Sequence, residues 1–139
     1  MEYRVCRNTP ALYNDLNGKI SLLGLGTMRL PLRDAADQTS IDEEKAQEIF
    51  DYAYAHGVNY FDTAYPYHGG MSEKFCGKAL AKYPRASYHL ASKLPGWLLK
   101  CDEDVPRIFN EQLANCRTDY FDFYLAHSVH ESSWPNYVK

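Results

Sequence analysis

Four polar residues follow three successive strand-like segments of the sequence, and their side chains could together deliver a proton. Asp62, Lys93 and His127 each stand at the end of one segment. Tyr67 lies in the loop that follows Asp62. The carboxyl ends of parallel strands meet at one edge of a sheet, where the following loops converge. We therefore expect a carboxylate, a phenol, an ammonium group and an imidazole to share one opening.

The charges of these residues indicate which chemistry the group could support. A buried Asp62 carboxylate would hold Lys93 in its charged form, and that positive charge would favour the tyrosinate form of Tyr67. Tyr67 would then be a usable proton donor near neutral pH. A carbonyl oxygen between Tyr67 and His127 would be polarised and protonated as hydride arrives, which is general-acid catalysis with electrostatic help. No side chain donates hydride, so this chemistry requires a cofactor.

Four short apolar segments are predicted to form the strands that carry these residues, at 21–26, 58–62, 87–93 and 121–127. Their apolar runs fit strands that are buried on both faces of a sheet. A cluster of turn residues at 14–18 separates two further strand candidates and predicts a β-hairpin over about residues 10–21. The hairpin precedes the repeating part of the chain, which covers about residues 22–139.

Three amphipathic helices are predicted between the four strands. The first begins at Ser40, because a glutamate three residues later completes a capping box, and it ends at Gly57. The second begins at Ser72 as its N-cap, and the third begins near residues 102–104. Residues 131–139 resemble the start of a fourth helix. Strands that alternate with such helices indicate right-handed β-α-β units, so the predicted class is α/β with a parallel sheet.

Composition limits the classes of partner and the cellular location. A formal net charge of −3 over 139 residues attracts neither nucleic acids nor anionic membranes, so we expect a small molecule or a protein as partner. No apolar run approaches the roughly 20 residues that span a bilayer. The cysteines are scattered and form no C-x-x-C pair; they are Cys6, Cys76, Cys101 and Cys116. We predict reduced thiols in a cytoplasmic protein, packing roles for Cys76 and Cys116, and neither a metal site nor a disulfide.

Several motifs resemble those of the aldo-keto reductases, in the same order and with the same spacing. They are Gly-Leu-Gly-Thr-Met-Arg at 24–29, Phe-Asp-Thr-Ala at 61–64 followed by Tyr67, Ala-Ser-Lys at 91–93, and Asp-Tyr-Phe-Asp-Phe-Tyr-Leu-Ala-His at 119–127. The resemblance runs from about Leu22 to the end of the chain. It implies an NADPH-using (β/α)₈ barrel whose catalytic tetrad is Asp62, Tyr67, Lys93 and His127. The D-T-A-x-x-Y spacing selects Tyr67 and not Tyr65.

The resemblance also implies where cofactor and substrate would bind. The loop after the first strand would contact the nicotinamide half of the cofactor, with Asp62 near its ribose; the loop residues are Gly26, Thr27, Met28 and Arg29. A carbonyl substrate would lie against His127. Trp97 either lines the substrate pocket or packs beneath its own loop. A Rossmann interpretation of the Gly24-x-Gly26 pair is disfavoured, because the third glycine is missing and the next helix begins well downstream.

Two details concern the subfamily. The run at 65–73 is similar to a bacterial branch that often carries a ferredoxin-like C-terminal extension with iron–sulfur clusters, which would lie beyond residue 139. Two positions depart from the family pattern. Arg117 stands where many members have a glycine at the end of the third helix, and His68 replaces the glycine that commonly follows the tyrosine. Neither departure changes the tetrad, but both leave the subfamily open.

The length of the chain allows two hypotheses about function. A (β/α)₈ barrel takes about 250 residues, whereas 139 residues with four predicted strands correspond to its N-terminal half. The first hypothesis is a single partial domain, residues 1–139, of an oxidoreductase that reduces aldehydes or ketones to alcohols with NAD(P)H and with Tyr67 as general acid. The alternative is a truncated, catalytically inactive half-barrel that self-associates through exposed edges or binds a partner. The substrate and the choice between NADPH and NADH stay open.

Overall fold

Two β-sheets and three α-helices form within residues 1–5 and 18–138, the part of the chain that the computed structural model describes. A small antiparallel sheet joins β1 (Tyr3–Val5) to β2 (Lys19–Ser21). The main sheet has four parallel strands in chain order, which are β3 (Leu25–Gly26), β4 (Tyr60–Asp62), β5 (His89–Leu94) and β6 (Phe123–Ala126). The helices α1 (Glu43–Ala55), α2 (Met71–Leu80) and α3 (Asp104–Cys116) alternate with these strands. The predicted α/β class with a parallel sheet is confirmed.

The first predicted strand is divided between the two sheets. Ser21 belongs to β2, where its N–H donates to Asn59 Oδ1 at 2.8 Å and its hydroxyl accepts from the Asn59 N–H at 3.1 Å. Leu22 and Leu23 are exposed, so the buried run expected at 21–26 contracts to the two residues of β3. The predicted hairpin strand at 11–13 lies outside the described residues, and the strand paired with β2 is β1.

Helix α1 begins slightly later than the sequence indicated. Asp42 is its N-cap, and Oδ1 of Asp42 accepts the N–H of Lys45 at 3.3 Å. The hydroxyl of Ser40 is used within the preceding loop instead, where it accepts the N–H of Asp34 at 3.0 Å. The predicted start at Ser40 is therefore wrong, because serine and aspartate offer the same capping oxygen and aspartate takes the role here. The predicted end is confirmed, since Gly57 adopts a φ of 86° just past the helix.

Helix α2 is capped by Gly70, which has a φ of 89°, and not by Ser72. Ser72 lies within the first turn, and its buried hydroxyl is 2.7 Å from Thr27 Oγ1 and 3.0 Å from Thr63 Oγ1. The predicted N-cap is wrong because the hydroxyl points inward and joins α2 to the loops after β3 and β4. The predicted apolar face of α2 is confirmed, with Phe75, Cys76, Ala79 and Leu80 all buried.

Aromatic side chains fill the space between the main sheet and its helices. Phe50 of α1 stacks on Phe61 of β4 at a centroid distance of 5.3 Å and meets Phe75 of α2 edge-on at 5.5 Å. Burial raises the pKa of the Cys76 thiol to about 12, so this cysteine behaves as a packing group, in agreement with the sequence. The opposite face of the sheet, at alternate strand positions, carries Asp62 and Lys93.

The small sheet lies at the amino ends of the main strands. The Nδ2 of Asn59 donates to the Lys19 carbonyl at 3.0 Å, and Nε2 of His89 is 3.0 Å from the same oxygen. These bonds attach β2 to the residues that precede or begin β4 and β5. The described strands β1 and β2 therefore lie away from the carboxyl ends of the main strands.

Two further expectations concern helices. After β6 the described chain forms a short 3₁₀ turn at Trp134–Asn136, where the sequence suggested the start of a fourth helix. Within residues 1–5 and 18–138, no helix is long and apolar enough to cross a membrane.

Candidate active site

Asp62 and Lys93 form an ion pair at the carboxyl end of the main sheet. The Nζ of Lys93 donates to Asp62 Oδ1 at 2.6 Å and to the Thr63 carbonyl at 2.7 Å. Asp62 pairs in register with Ala91, two positions before Lys93, so both side chains extend from the same face of neighbouring strands. The Lys93 side chain retains 13% of its exposure and that of Asp62 retains 27%. The ammonium group is therefore largely withdrawn from water and neutralised by a carboxylate.

Tyr67 is brought over this ion pair by a sharp turn after β4. Its N–H donates to the Ala64 carbonyl at 3.1 Å. The next three residues all have left-handed φ values, with 53° at His68, 60° at Gly69 and 89° at Gly70. The Nζ of Lys93 lies 5.0 Å from the centroid of the Tyr67 ring. The turn thus keeps the phenol ring next to the buried positive charge.

Tyr65, the neighbouring tyrosine, faces a different environment. Its hydroxyl donates to Oε2 of Glu111 on α3 at 2.8 Å. That hydrogen bond raises the pKa of Tyr65, because the carboxylate stabilises the protonated phenol. The two tyrosines of this loop are therefore separated, with Tyr67 beside Lys93 and Tyr65 bonded to a helix.

His127 follows β6 and completes the group. Its N–H donates to the Leu94 carbonyl at 3.0 Å, which links the ends of β5 and β6. Its imidazole ring meets the Tyr67 ring edge-on at a centroid distance of 5.7 Å and the Trp97 ring at 5.0 Å. Nδ1 of His127 is buried and has no hydrogen-bond partner among the described residues. The four predicted tetrad residues are thus close neighbours at one edge of the sheet.

The charge state of His127 follows from its surroundings. Burial lowers the pKa of His127 from its ordinary value of 6.5, and the positive charge of Lys93 lowers this pKa further, while Asp62 opposes both. The imidazole is therefore neutral at pH 7. A neutral imidazole has one N–H donor and one acceptor nitrogen, so His127 can donate a hydrogen bond without carrying a charge.

The predicted cofactor loop contains residues of two kinds. Gly26 pairs in register with Asp62, and a Cβ placed on Gly26 would meet no atom within 4 Å. Met28 and Arg29 are also exposed. Thr27 is fully buried, and its hydroxyl donates to the Asp62 carbonyl at 3.0 Å. Three of the four loop residues are therefore exposed, whereas the Thr27 side chain is committed to the interior.

A buried polar cluster behind Lys93 was not predicted from the sequence. Oε1 of Glu73, which is fully buried on α2, accepts from Ser92 Oγ at 2.6 Å and from Gln112 Nε2 at 2.6 Å. Gln112 Nε2 also lies 3.1 Å from the Lys93 carbonyl. The sequence contains one indication of this cluster: Gln112 stands midway between Ile108 and Cys116, on the stripe of α3 that is buried. The cluster fixes the backbone at Lys93 from the helix side.

Two cavities near these loops lie outside the tetrad. One of about 680 Å³ is bounded by the loop at Tyr65, by Lys74 and by Glu111, with Trp97 at its rim. The other, of about 310 Å³, lies between the residues after β5 and the turn at 134–136, with Tyr137 in its wall. Trp97 is 48% exposed, so about half of its side chain faces solvent beside the larger cavity.

The motifs at these strand ends match a family model. Residues 22–135 match the aldo/keto reductase family. The chain belongs to this family. Among curated relatives, it is 32% identical to L-galactose dehydrogenase from Arabidopsis thaliana over 80% of this chain and 35% of that protein. The chain spans about a third of the length of the curated relatives it matches.

Solved aldo-keto reductase structures share the fold. The holo form of AKR11C1 from Bacillus halodurans has a TM-score of 0.69 and 30% identity, over 90% of this chain and 40% of that one. An aldo-keto reductase from Klebsiella pneumoniae in complex with NADPH has a TM-score of 0.65 and 27% identity, over 83% of this chain and 38% of that one. The predicted N-terminal half of a (β/α)₈ barrel is thereby confirmed as the fold class.

Proposed function

We propose that this chain carries the proton-transfer side of an NAD(P)H-dependent reductase of aldehydes or ketones, with Tyr67 as the general acid. The supporting observation is the position of Lys93, which is bonded to Asp62 at 2.6 Å and lies 5.0 Å from the centre of the Tyr67 ring. A relative from Schizosaccharomyces pombe, 38% identical over 74% of this chain and 30% of that protein, is named a putative aryl-alcohol dehydrogenase, which is the same class of chemistry. The tetrad is the part of such a site that this chain contributes.

The proposed proton transfer uses only the residues of the tetrad. Lys93 is paired with Asp62, and its ammonium charge stabilises negative charge that develops on the Tyr67 oxygen. The neutral imidazole of His127 donates a hydrogen bond to the substrate carbonyl oxygen and orients it towards Tyr67. Tyr67 then gives its proton to that oxygen, which becomes the alcohol hydroxyl. Trp97 takes no part in the proton transfer, but we expect it to contact the substrate, because its ring meets that of His127 at 5.0 Å.

The loop after β3 fits a nicotinamide cofactor. Gly26, Met28 and Arg29 are exposed, and Gly26 pairs in register with Asp62, whose carboxylate can accept a hydrogen bond from a ribose hydroxyl. The absence of a side chain on Gly26 leaves room for a flat ring against the backbone. A reduced nicotinamide supplies the hydride that the tetrad lacks. Thr27 contributes to this site only by holding the loop to Asp62.

The first prediction tests Tyr67 against its neighbour. Tyr67→Phe removes the acidic hydroxyl and keeps the ring, so we expect aldehyde-dependent NADPH oxidation to fall by about 10²- to 10⁴-fold. Tyr65→Phe is the matched control, because it removes a hydroxyl that is bonded to Glu111 on α3. The measurement is the initial rate of NADPH consumption with a panel of aldehydes and ketones, repeated with NADH.

The rates of the two variants and of the wild-type chain distinguish the two candidate functions. Equal losses in Tyr67→Phe and Tyr65→Phe would show that the assignment of the general acid is wrong. A wild-type chain that neither binds NADPH nor turns over any carbonyl would favour the second candidate, a catalytically inactive half-barrel that self-associates. That candidate is supported by the edge strand β6, on which Leu125 is 40% exposed.

Two other expectations remain predictions. Similarity of residues 65–73 to the branch with a ferredoxin-like extension concerns residues beyond Lys139, and sequencing the gene past this codon tests it directly. Cytoplasmic location is tested by fractionation of cells that express the native gene. Among the described residues, no cluster of metal-binding side chains is found.

A further inference from the structure

The hydroxyl of Tyr137 lies where the ends of β5 and β6 meet. It accepts the N–H of Gly96 at 2.9 Å. It also lies 2.5 Å from the His127 carbonyl and 3.2 Å from the Leu94 carbonyl, to which it can donate its proton. The Leu94 carbonyl already accepts the N–H of His127. One side-chain oxygen therefore connects the backbone after Lys93 to the backbone that carries His127.

Packing leaves this hydroxyl little freedom. A Cβ placed on Gly96 would lie 2.4 Å from Cζ of Tyr137, so the ring occupies the space that any other residue at 96 would fill. Gly96 is buried, and a buried backbone N–H without a partner is costly. The ring of Tyr137 and the missing side chain of Gly96 are thus complementary, and they hold the hydroxyl against three backbone groups.

The His127 side chain has few other constraints on its position. Its Nδ1 has no hydrogen-bond partner among the described residues, and its ring is held by contacts with the rings of Tyr67 and Trp97. Trp97 directly follows Gly96, so the same hydroxyl restrains the backbone on both sides of this aromatic contact. A small displacement at Gly96 or His127 would change the separation of the two rings.

We propose that Tyr137 is a positioning residue, whose hydroxyl holds His127 and Trp97 at a fixed separation on the substrate side of the tetrad. The inference rests on the proposed function only for its effect on turnover. The geometric part, that the hydroxyl controls the environment of the His127 ring, stands independently. A misplaced orienting group loses rate even though it keeps its chemistry.

The experiment compares Tyr137→Phe with Tyr54→Phe in the full chain. Tyr54 is a matched control, because its hydroxyl makes a single bond to Ser87 Oγ at 2.8 Å on the helix side of the sheet. The pH titration of the His127 ring is followed by NMR of labelled histidine, with the signal assigned by its loss in His127→Asn. The charged or titratable groups facing this ring are Lys93, Asp62 and Tyr67.

Tyr137→Phe should raise the titration midpoint of His127, because a loosened ring is better hydrated, and Tyr54→Phe should leave it unchanged. In an active preparation, Tyr137→Phe should also lower kcat by about 10-fold or more with a smaller change in KM for NADPH. An unchanged midpoint in folded Tyr137→Phe protein would overturn the proposal. If Tyr137→Phe shifts the midpoint but the wild-type chain shows no turnover, the positioning role is retained and the proposed function is rejected.

A measurement on the wild-type chain covers the case in which Tyr137→Phe does not fold. The Gly96 N–H is held by Tyr137, so we expect its hydrogen exchange to be as slow as that of the core strand β5. Exchange at the rate of an exposed amide would contradict the contact on which the proposal rests.

Discussion

His68 and Arg117 adopt the same left-handed backbone conformation, with φ values of 53° and 52°, but their side chains are used differently. His68 is buried, and its Nε2 accepts the Leu30 N–H at 3.1 Å while Nδ1 donates to the Gln38 carbonyl at 2.9 Å. Arg117 is exposed and ends α3. His68 offsets the strain with side-chain hydrogen bonds, whereas Arg117 ends its helix through backbone hydrogen bonds to Leu113 and Ala114.

This contrast predicts opposite effects of the same substitution. Arg117→Gly should raise the free energy of unfolding by about 0.5–1 kcal/mol, because glycine relieves the left-handed strain at a helix C-terminus. His68→Gly should lower it by about 1–2 kcal/mol, because a buried Leu30 N–H loses its acceptor. Urea unfolding of both variants measures the difference. A higher free energy of unfolding for both variants would mean that backbone conformation alone decides, and a lower one for both would contradict the strain assigned to Arg117.

Some residues of the site can be predicted from the sequence, and others cannot. The sequence predicts the tetrad positions because Asp62, Lys93 and His127 stand at the ends of strands with a local apolar pattern, and Tyr67 lies in the loop after Asp62. Glu73, Gln112 and Tyr137 are not predicted, because a buried carboxylate or amide looks like a surface residue until the partner from another element is known. Ser40 and Ser72 were assigned as caps because a hydroxyl near a helix start does not reveal whether it bonds its own helix or a neighbour.

At the scale of elements, helices α2 and α3 are in unusually close contact through Gly77. A Cβ on Gly77 would lie 2.6 Å from the Asn115 carbonyl oxygen and 2.6 Å from the backbone carbon of Cys116. These are backbone atoms, which cannot move aside as a flexible side chain can. The same two helices are joined by the buried Glu73, whose Oε2 accepts from Asn115 Nδ2 at 3.2 Å. The close approach of α2 to α3 at Gly77 and the hydrogen bonds of Glu73 therefore involve the same segment of α3.

Gly77→Ala tests this contact. Alanine is favoured over glycine in a helix by about 1 kcal/mol, but overpacking against α3 costs about 1–3 kcal/mol. We expect the clash to exceed the gain in propensity, so the free energy of unfolding should fall. Gly26→Ala is the control, because its Cβ would meet no atom within 4 Å, and it should change stability by less than about 0.5 kcal/mol. Denaturant unfolding of the two variants gives the comparison, and a more stable Gly77→Ala protein would contradict the proposed clash.

At the scale of the whole molecule, the two ends of the main sheet have different roles. The amino ends are tied together by polar contacts, including the bond of Arg85 to Asp122 at 2.7 Å and the attachment of β2 to Asn59. The carboxyl ends carry the tetrad and its loops. In barrels of this architecture the first end supports stability and the second supports function. The sequence could predict this division because it places the polar residues relative to the strands, but it could not predict the contacts of the hairpin.

The edge strand β6 of the main sheet leads to a prediction about self-association. Within the described residues, β3 and β6 each pair on one side only, so β6 presents an edge that carries Leu125. Such an edge promotes pairing between chains, and a charged residue on it opposes pairing. Leu125→Lys should therefore lower the average mass that sedimentation measures at high concentration. Leu98→Lys is the matched control, because Leu98 is also 40% exposed and lies off the sheet. A wild-type chain that stays monomeric at every concentration, or equal dissociation by both variants, would exclude this edge as the contact surface.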